Sequence, residues 1–201
     1  YQPLNKKIFL FRIFYNYPFR AEKTKLVKEI IVQNPDRMPE ELRSKCSQIN
    51  YNQQMMSLTT AEKQSLINFF SESFNFKKNN KKNFILLTQS LSEQGIVSEE
   101  YKVELYKRII SEYGKGFDIY IKTHPRELTD YKLWFDFNFF EIPGNFPIEI
   151  LNFLPLIEFE RGVTLFSSAI NNSNFIKEKI FLGHEWDSKL YKAVITKMWK
   201  Q

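Results

Sequence analysis

Lys122, His124 and Arg126 bring three cationic or protonatable side chains together at alternate positions, with Pro125 between the last two. Such a trio could neutralise an anion, and an imidazole can also pass a proton near neutral pH. His124 is one of only two histidines in the chain. Just upstream, Phe117, Ile119 and Ile121 alternate with Asp118, Tyr120 and Lys122, the period of a strand. Pro125 ends that ladder and holds His124 in an extended or turn conformation. The basic trio therefore stands at the carboxyl end of a strand, where open α/β sheets bind ligands. A solvated strand end with a turn proline has the same sequence, so the choice rests on what the rest of the chain brings to that edge.

Three further polar stretches follow apolar runs. Thr88 and Gln89 open a loop that reaches Glu93, Gly144 to Glu149 form another, and Ser167-Ser168 a third. If the runs before them are parallel strands, all these loops open on one edge and could converge on one ligand. Ser167 and Ser168, at a strand-to-helix junction, offer hydroxyls and unpaired backbone N–H groups to a phosphate. Glu149, in the first turn of its helix, suits a diol, since a carboxylate can accept two hydroxyl hydrogen bonds. Lys122 and His124 would balance the charge of a phosphate leaving group. The chain has no Asp-x-Asp, Walker A loop, Gly-x-Gly-x-x-Gly or Cys/His cluster of metal spacing. A divalent metal is therefore not indicated, and a metal-free nucleotide-sugar site fits these residues.

The elements that would position them alternate from residue 83 onward. Phe84 to Leu87 read as a strand buried on both faces. Ser98, with Glu99 and Glu100, starts a helix through Tyr113 that Gly114 and Gly116 end. The strand Phe117 to Lys122 follows. Phe137, Phe139 and Phe140 make a third strand, and Pro147 opens a helix containing Ile150, Leu151 and Leu154. Val163 to Phe166 and Lys179 to Leu182 are the last two strands, and 188–199 a terminal helix. This alternation predicts a parallel sheet with helices on both faces.

The first third reads differently. Residues 4–16 form an apolar helix with Ile8, Phe11 and Phe14 on one face, suited to a core, a partner subunit or a membrane surface. A second amphipathic segment spans 21–33, residues 47–60 read as a polar connector, and Thr60 could cap a helix over 61–72. Lys77 to Lys82 hold four lysines in six residues. With no aromatic interleaved they read as a solvated break rather than a nucleic-acid site. The 201 residues carry a net charge of +6, which permits anionic partners without choosing one. The single cysteine, Cys46, excludes an intrachain disulfide and points to an intracellular compartment. No apolar run approaches the roughly 20 residues of a membrane span.

The segments Ile85-Leu86-Leu87-Thr88-Gln89, Lys122-Thr123-His124-Pro125-Arg126, Phe146-Pro147-Ile148-Glu149 and Phe166-Ser167-Ser168-Ala169 follow one another in that order. The set resembles the C-terminal half of the bacterial lipooligosaccharide sialyltransferases, glycosyltransferase family 52, over about residues 83–185. The resemblance implies a GT-B fold whose C-terminal, Rossmann-like domain binds CMP-sialic acid. It implies that His124 contacts the phosphate as general acid or electrostatic stabiliser of departing CMP. Lys122 would touch the nucleotide, with Thr88, Gln89 and Arg126 beside it, Glu149 the ribose hydroxyls, and Ser167 and Ser168 the phosphate. The family's acceptor-activating carboxylate follows the Ile-Leu-Leu strand. Glu93 is the nearest acid there, and a solvated loop acid is an equal reading of it.

The acid-acid-Gly motif of the family's N-terminal domain is absent; Glu93-Gln94-Gly95 is only a partial echo. Residues 1–82 are therefore expected to be a helical connector and dimer interface, 83–201 the donor domain, and the chain a fragment of a longer enzyme. The expected enzyme is an inverting, metal-independent sialyltransferase without cofactor. It would act on a lipooligosaccharide or capsular glycan acceptor, as a cytoplasmic homodimer with room for peripheral membrane contact and no nucleic-acid partner. A glycosyltransferase using another nucleotide sugar, and a non-catalytic module binding an anion or partner at the basic strand end, are the two rival readings. His184, beyond the fifth strand, reads as a surface-loop histidine within reach of the site, Cys46 has no base beside it to make it a nucleophile, and Trp134, Trp186 and Trp199 read as core or interface rather than sugar platforms.

Overall fold

The structure is a computed structural model that describes residues 27–32, 34–71, 82–154 and 157–199. The helix expected over 4–16 and most of the lysine-rich break, Lys77 to Lys81, lie outside the described residues. The chain divides into two compact units between Leu58 and Thr59.

In the first unit, strand β1 (Ile30–Val32) pairs in parallel with β2 (Cys46–Gln48). Between them lie a 3-10 turn (Pro35–Arg37) and the short helix α1 (Glu40–Arg43), whose Leu42 is buried. The amphipathic segment expected over 21–33 thus ends as a strand, because Ile30-Ile31-Val32 is β-branched throughout. The polar stretch 47–60 is not a plain connector: α2 (Tyr51–Ser57) forms there, with the Asn50 side chain accepting from Gln53 N at 3.0 Å.

The second unit begins with helix α3 (Thr60–Ser71). Its cap is Thr59, one residue before the expected Thr60. The Thr59 hydroxyl accepts from Glu62 N, and Glu62 accepts from Thr59 N in return, a reciprocal capping box. A five-stranded parallel sheet follows, made of β3 (Asn83–Leu87), β4 (Asp118–Lys122), β5 (Phe140–Ile142), β6 (Phe159–Thr164) and β7 (Ile176–Phe181). Their order is β5-β4-β3-β6-β7. Counted from β3 this is 3-2-1-4-5, the doubly wound arrangement, and the direction of winding reverses between β3 and β6.

Helices α4 (Glu99–Tyr113) and α5 (Ser188–Trp199) serve one face of the sheet. Phe84, Leu86, Ile121 and Val163 pack there with Val103, Tyr106, Ile109 and Leu190. On the other face Ile85, Leu87, Tyr120 and Phe159 pack with Ile148, Ile150 and Leu151, and Leu66, Ile67 and Phe70 of α3 close the layer. That face carries 3-10 turns (Ile148–Phe153 and Ser168–Asn172) where helices were expected. Pro143, Gly144 and Pro147 break the first of these crossovers, and in the second Asn171, Asn172, Ser173 and Asn174 favour turn over helix. The third strand starts at Phe140, because Phe137 stacks on Phe135 and Phe139 meets both rings edge-on instead. Each fully buried Phe or Leu of these layers contributes roughly 1.5–3 kcal/mol.

Candidate functional site

The sheet register puts Ile142, Lys122, Leu87 and Thr164 in one row at the carboxyl edge. The loops that leave this row therefore start level with one another. They enclose a cavity of about 440 Å³ at the reversal between β3 and β6. Thr88 lines it from the β3 loop, Lys122 to Pro125 from β4, Gly144 to Glu149 from β5, and Ser167 and Ala169 from β6. Four stretches chosen on residue type alone thus meet at one hollow of a size usual for small-molecule sites.

His124 is half-buried on the cavity wall. Its Nδ1 accepts a hydrogen bond from Arg126 N at 3.1 Å. The neutral ring therefore carries its proton on Nε2, the ring atom left to donate to a ligand. Arg126 contributes through this main-chain N–H; its side chain is exposed and does not line the cavity.

Lys122 is buried, and its ammonium donates to the carbonyls of Thr123 at 2.7 Å, Pro143 at 3.0 Å and Gly144 at 3.3 Å. All three protons are spent on tying the β5 loop to the end of β4. Burial pushes its pKa down to about 8, against the opposing charges of Glu149 and Glu127. Gly144 lies so close that a Cβ there would come within 2.9 Å of the His124 carbonyl oxygen. The same loop thus needs both a lysine beneath it and a glycine against the His-Pro turn.

Ser167 precedes the 3-10 turn and its N–H donates to Thr164 Oγ1 at 3.1 Å. Its hydroxyl makes no capping hydrogen bond to the turn. Ser168 is exposed and outside the lining. Glu149 lines the cavity with no hydrogen-bond partner for its carboxylate among the described residues. Gln89 binds main chain to side chain instead: its N–H donates to the Tyr106 hydroxyl at 2.7 Å.

Glu93 stands elsewhere. Its carboxylate takes Lys102 Nζ at 2.9 and 3.1 Å and Leu128 N at 2.8 Å, and it lines no part of the cavity. Burial works against its ionisation, but the Leu128 N–H and Lys102 outweigh it and hold the pKa down at about 2. A carboxylate so engaged is a poor proton acceptor, and this geometry does not support the role of base for Glu93.

Lys102 itself is completely buried on α4 and meets Glu93, Glu99 at 3.2 Å and Glu127 at 3.5 Å. Neither Lys102 nor Glu127 stood out in the sequence. The available signal was spacing: Glu127 follows His124 by three residues, the interval of a capping-box acid. Among the described residues no three His, Cys, Asp or Glu side chains are arranged to hold a metal ion. Nor is any helix among them long and apolar enough to cross a membrane. His184 stacks on Tyr191 beyond β7, 5.3 Å between ring centres.

A family model described as Glycosyltransferase family 52 matches residues 7–185. An uncharacterized protein of Haemophilus influenzae strain Rd is 36% identical over 170 residues, 83% of this chain and 53% of that protein. This chain thus spans about half the length of that relative. Two solved structures of the wall teichoic acid polymerase TagF also align. One, of a variant, does so at 17% identity with a TM-score of 0.47 over 83% of this chain and 41% of that one. The other gives 17% and 0.43, over 79% and 39%.

Proposed function

Starting from the fact that this chain belongs to glycosyltransferase family 52, we propose that its second unit is the donor-binding half of a GT-B glycosyltransferase that transfers sialic acid from CMP-sialic acid. The observation that carries this reading is the convergence of three uncommitted groups on one cavity: the Nε2 of His124, the Ser167 hydroxyl and the Glu149 carboxylate. A nucleoside monophosphate leaving group needs donors for its phosphate and an acceptor for its ribose diol, and these are the groups on offer.

In this reading an acceptor hydroxyl attacks the anomeric carbon as the bond to CMP breaks, with inversion. His124 donates from Nε2 to the phosphate oxygen as negative charge develops there. Ser167 and the first N–H groups of its turn hold the other phosphate oxygens. Glu149 accepts from the ribose hydroxyls. Lys122 does not touch the nucleotide; it fixes the loop from which Glu149 starts and adds its charge from beneath. Charge balance comes from these groups, so the reaction is proposed to need no metal. The acceptor, a lipooligosaccharide or capsular glycan, and the homodimer suggested by the apolar segment 4–16 are parts of the same proposal. Light scattering tests the dimer.

Thermal unfolding in the presence of nucleotides tests the function, because a ligand that binds only the folded state raises the melting temperature. CMP should protect, and cytidine, UMP and GDP should protect less. Protection by UDP or GDP in preference to CMP would replace the donor, and no protection by any nucleotide would favour the non-catalytic module. Activity surviving a chelator is the expected result for metal; loss in EDTA restored by Mg²⁺ or Mn²⁺ would overturn that part.

A further inference from the structure

We propose that Glu127 is the positioning residue of this site: its buried carboxylate holds the His124 turn, and through the turn the imidazole, in the geometry from which Nε2 donates. The ligand side of this claim rests on the nucleotide-phosphate reading of the cavity.

The Glu127 side chain is 1% exposed and is saturated with donors. Oε2 accepts from the His124 N–H at 2.9 Å and from the Thr88 hydroxyl. Oε1 accepts from the Tyr131 hydroxyl and faces the Lys102 ammonium at 3.5 Å. In the main chain Glu127 N donates to the His124 carbonyl at 2.9 Å. The four-residue turn is thus closed at both ends of His124 by one residue. Inside it the Arg126 N–H, which sets the imidazole tautomer, is carried along.

Thr88 continues the central strand β3, and its N–H donates to the Lys122 carbonyl at 3.1 Å. Glu127 therefore references the turn to the two strand ends that bound the cavity. Its charge is what permits this. A carboxylate is an acceptor at both oxygens, whereas an amide replaces one by an NH₂ that would oppose a donor. Whichever way the amide turns, its NH₂ faces a donor that cannot rotate away: the His124 N–H on one side or the Lys102 ammonium on the other. The buried carboxylate is in turn compensated by the buried ammonium of Lys102, so α4 is wired to the imidazole through two charges.

The test starts without ligand. With only two histidines in the chain, ¹⁵N imidazole resonances are assigned by His184→Gln. The chain should show His124 protonated on Nε2 with Nδ1 as acceptor. Glu127→Gln should move these resonances toward a tautomer average while the circular dichroism stays native. Unchanged resonances would show that the charge of the Glu127 carboxylate does not hold the turn, and would overturn the proposal. If Glu127→Gln does not fold, Tyr131→Phe removes one donor from the carboxylate with less damage. A shift in the same direction is then expected, and no shift overturns the proposal.

The ligand arm uses CMP and calorimetry. Glu127→Gln should weaken CMP about tenfold, the scale of one hydrogen bond, but should cost nothing further in a His124→Gln background. Additive losses would mean that Glu127 does not act through His124. If CMP does not bind the unaltered chain, the functional reading fails, and the imidazole spectra still decide the positioning claim.

Discussion

An ammonium that gives all three protons to main-chain carbonyls has none left for a ligand, and at the end of β4 that is the position of Lys122. Burial sets its folded pKa at about 8, below the roughly 10.4 of an unfolded lysine. Between those values the unfolded chain binds the extra proton, so this residue makes stability rise with pH across that window. Lys122→Met removes the titration along with the three hydrogen bonds. The deficit of the variant relative to the unaltered chain should therefore widen between about pH 8 and pH 10. Urea unfolding at several pH values measures it, and a deficit independent of pH would place the charge outside the carbonyl cluster. The two serines separate in the same way. Ser167 lines the cavity and Ser168 does not. Ser167→Ala should weaken CMP about tenfold while leaving cytidine nearly unchanged, and Ser168→Ala should alter neither. A larger loss at Ser168 would move the phosphate off Ser167.

At the scale of elements, α4 does more than cover the sheet. It carries the fully buried Lys102 against Glu93, Glu99 and Glu127. Lys102→Met would leave buried carboxylates uncompensated and should cost about 3–5 kcal/mol, read as a lowered denaturation midpoint with an unchanged slope. Glu93 sets the acid side of the same cluster. Its folded pKa is lowered to about 2, against roughly 4.3 unfolded. Its contribution is full above the unfolded value and disappears as pH falls through the folded one. Glu93→Gln should flatten the acid limb of the stability curve between about pH 4 and 2; an unchanged limb would assign acid unfolding to other carboxylates. These elements also mark how far the sequence was legible. Ser98 and Gly114 bounded α4 to the residue, because its cap and stop signals are local. The strand β3 showed itself by a purely apolar run, and the convergence of loops followed from parallel winding. The Lys102 cluster was illegible for the opposite reason. Of its acids only Glu99 shares α4 with the lysine; Glu93 and Glu127 come from separate loops, and a lysine on a helix reads as solvated until the fold buries it. Glu93 was drawn to the catalytic role by its place after β3, but the side chain turns to Lys102 and Leu128. The 3-10 turn Ile148–Phe153 escaped because Pro and Gly before it break helix without stating what replaces it.

For the whole molecule the decisive fact is where the site lies relative to the boundary between the two compact units. Among the described residues, every one that lines the cavity falls between Leu87 and Ala169, and both core clusters, with α3, lie after Leu58. Donor binding should therefore need only residues 59–201. A ligand specific for the folded state stabilises it by RT ln(1 + [L]/Kd), about 2.7 kcal/mol at a hundredfold excess over Kd. That gain depends on Kd alone and not on how stable the chain is to begin with. A chain beginning at Thr59 can thus lose melting temperature through the missing residues and still gain from CMP what the longer chain gains. We expect equal CMP dissociation constants for the two, within about twofold, from calorimetric titration. The capping box at Thr59 and Glu62 is retained at that start, so α3 keeps its first turn. A truncated chain that keeps its circular dichroism but binds CMP more than about tenfold more weakly would show that residues 1–58 take part in the site. Equal affinity would assign the donor half of the reaction to the five-stranded unit alone.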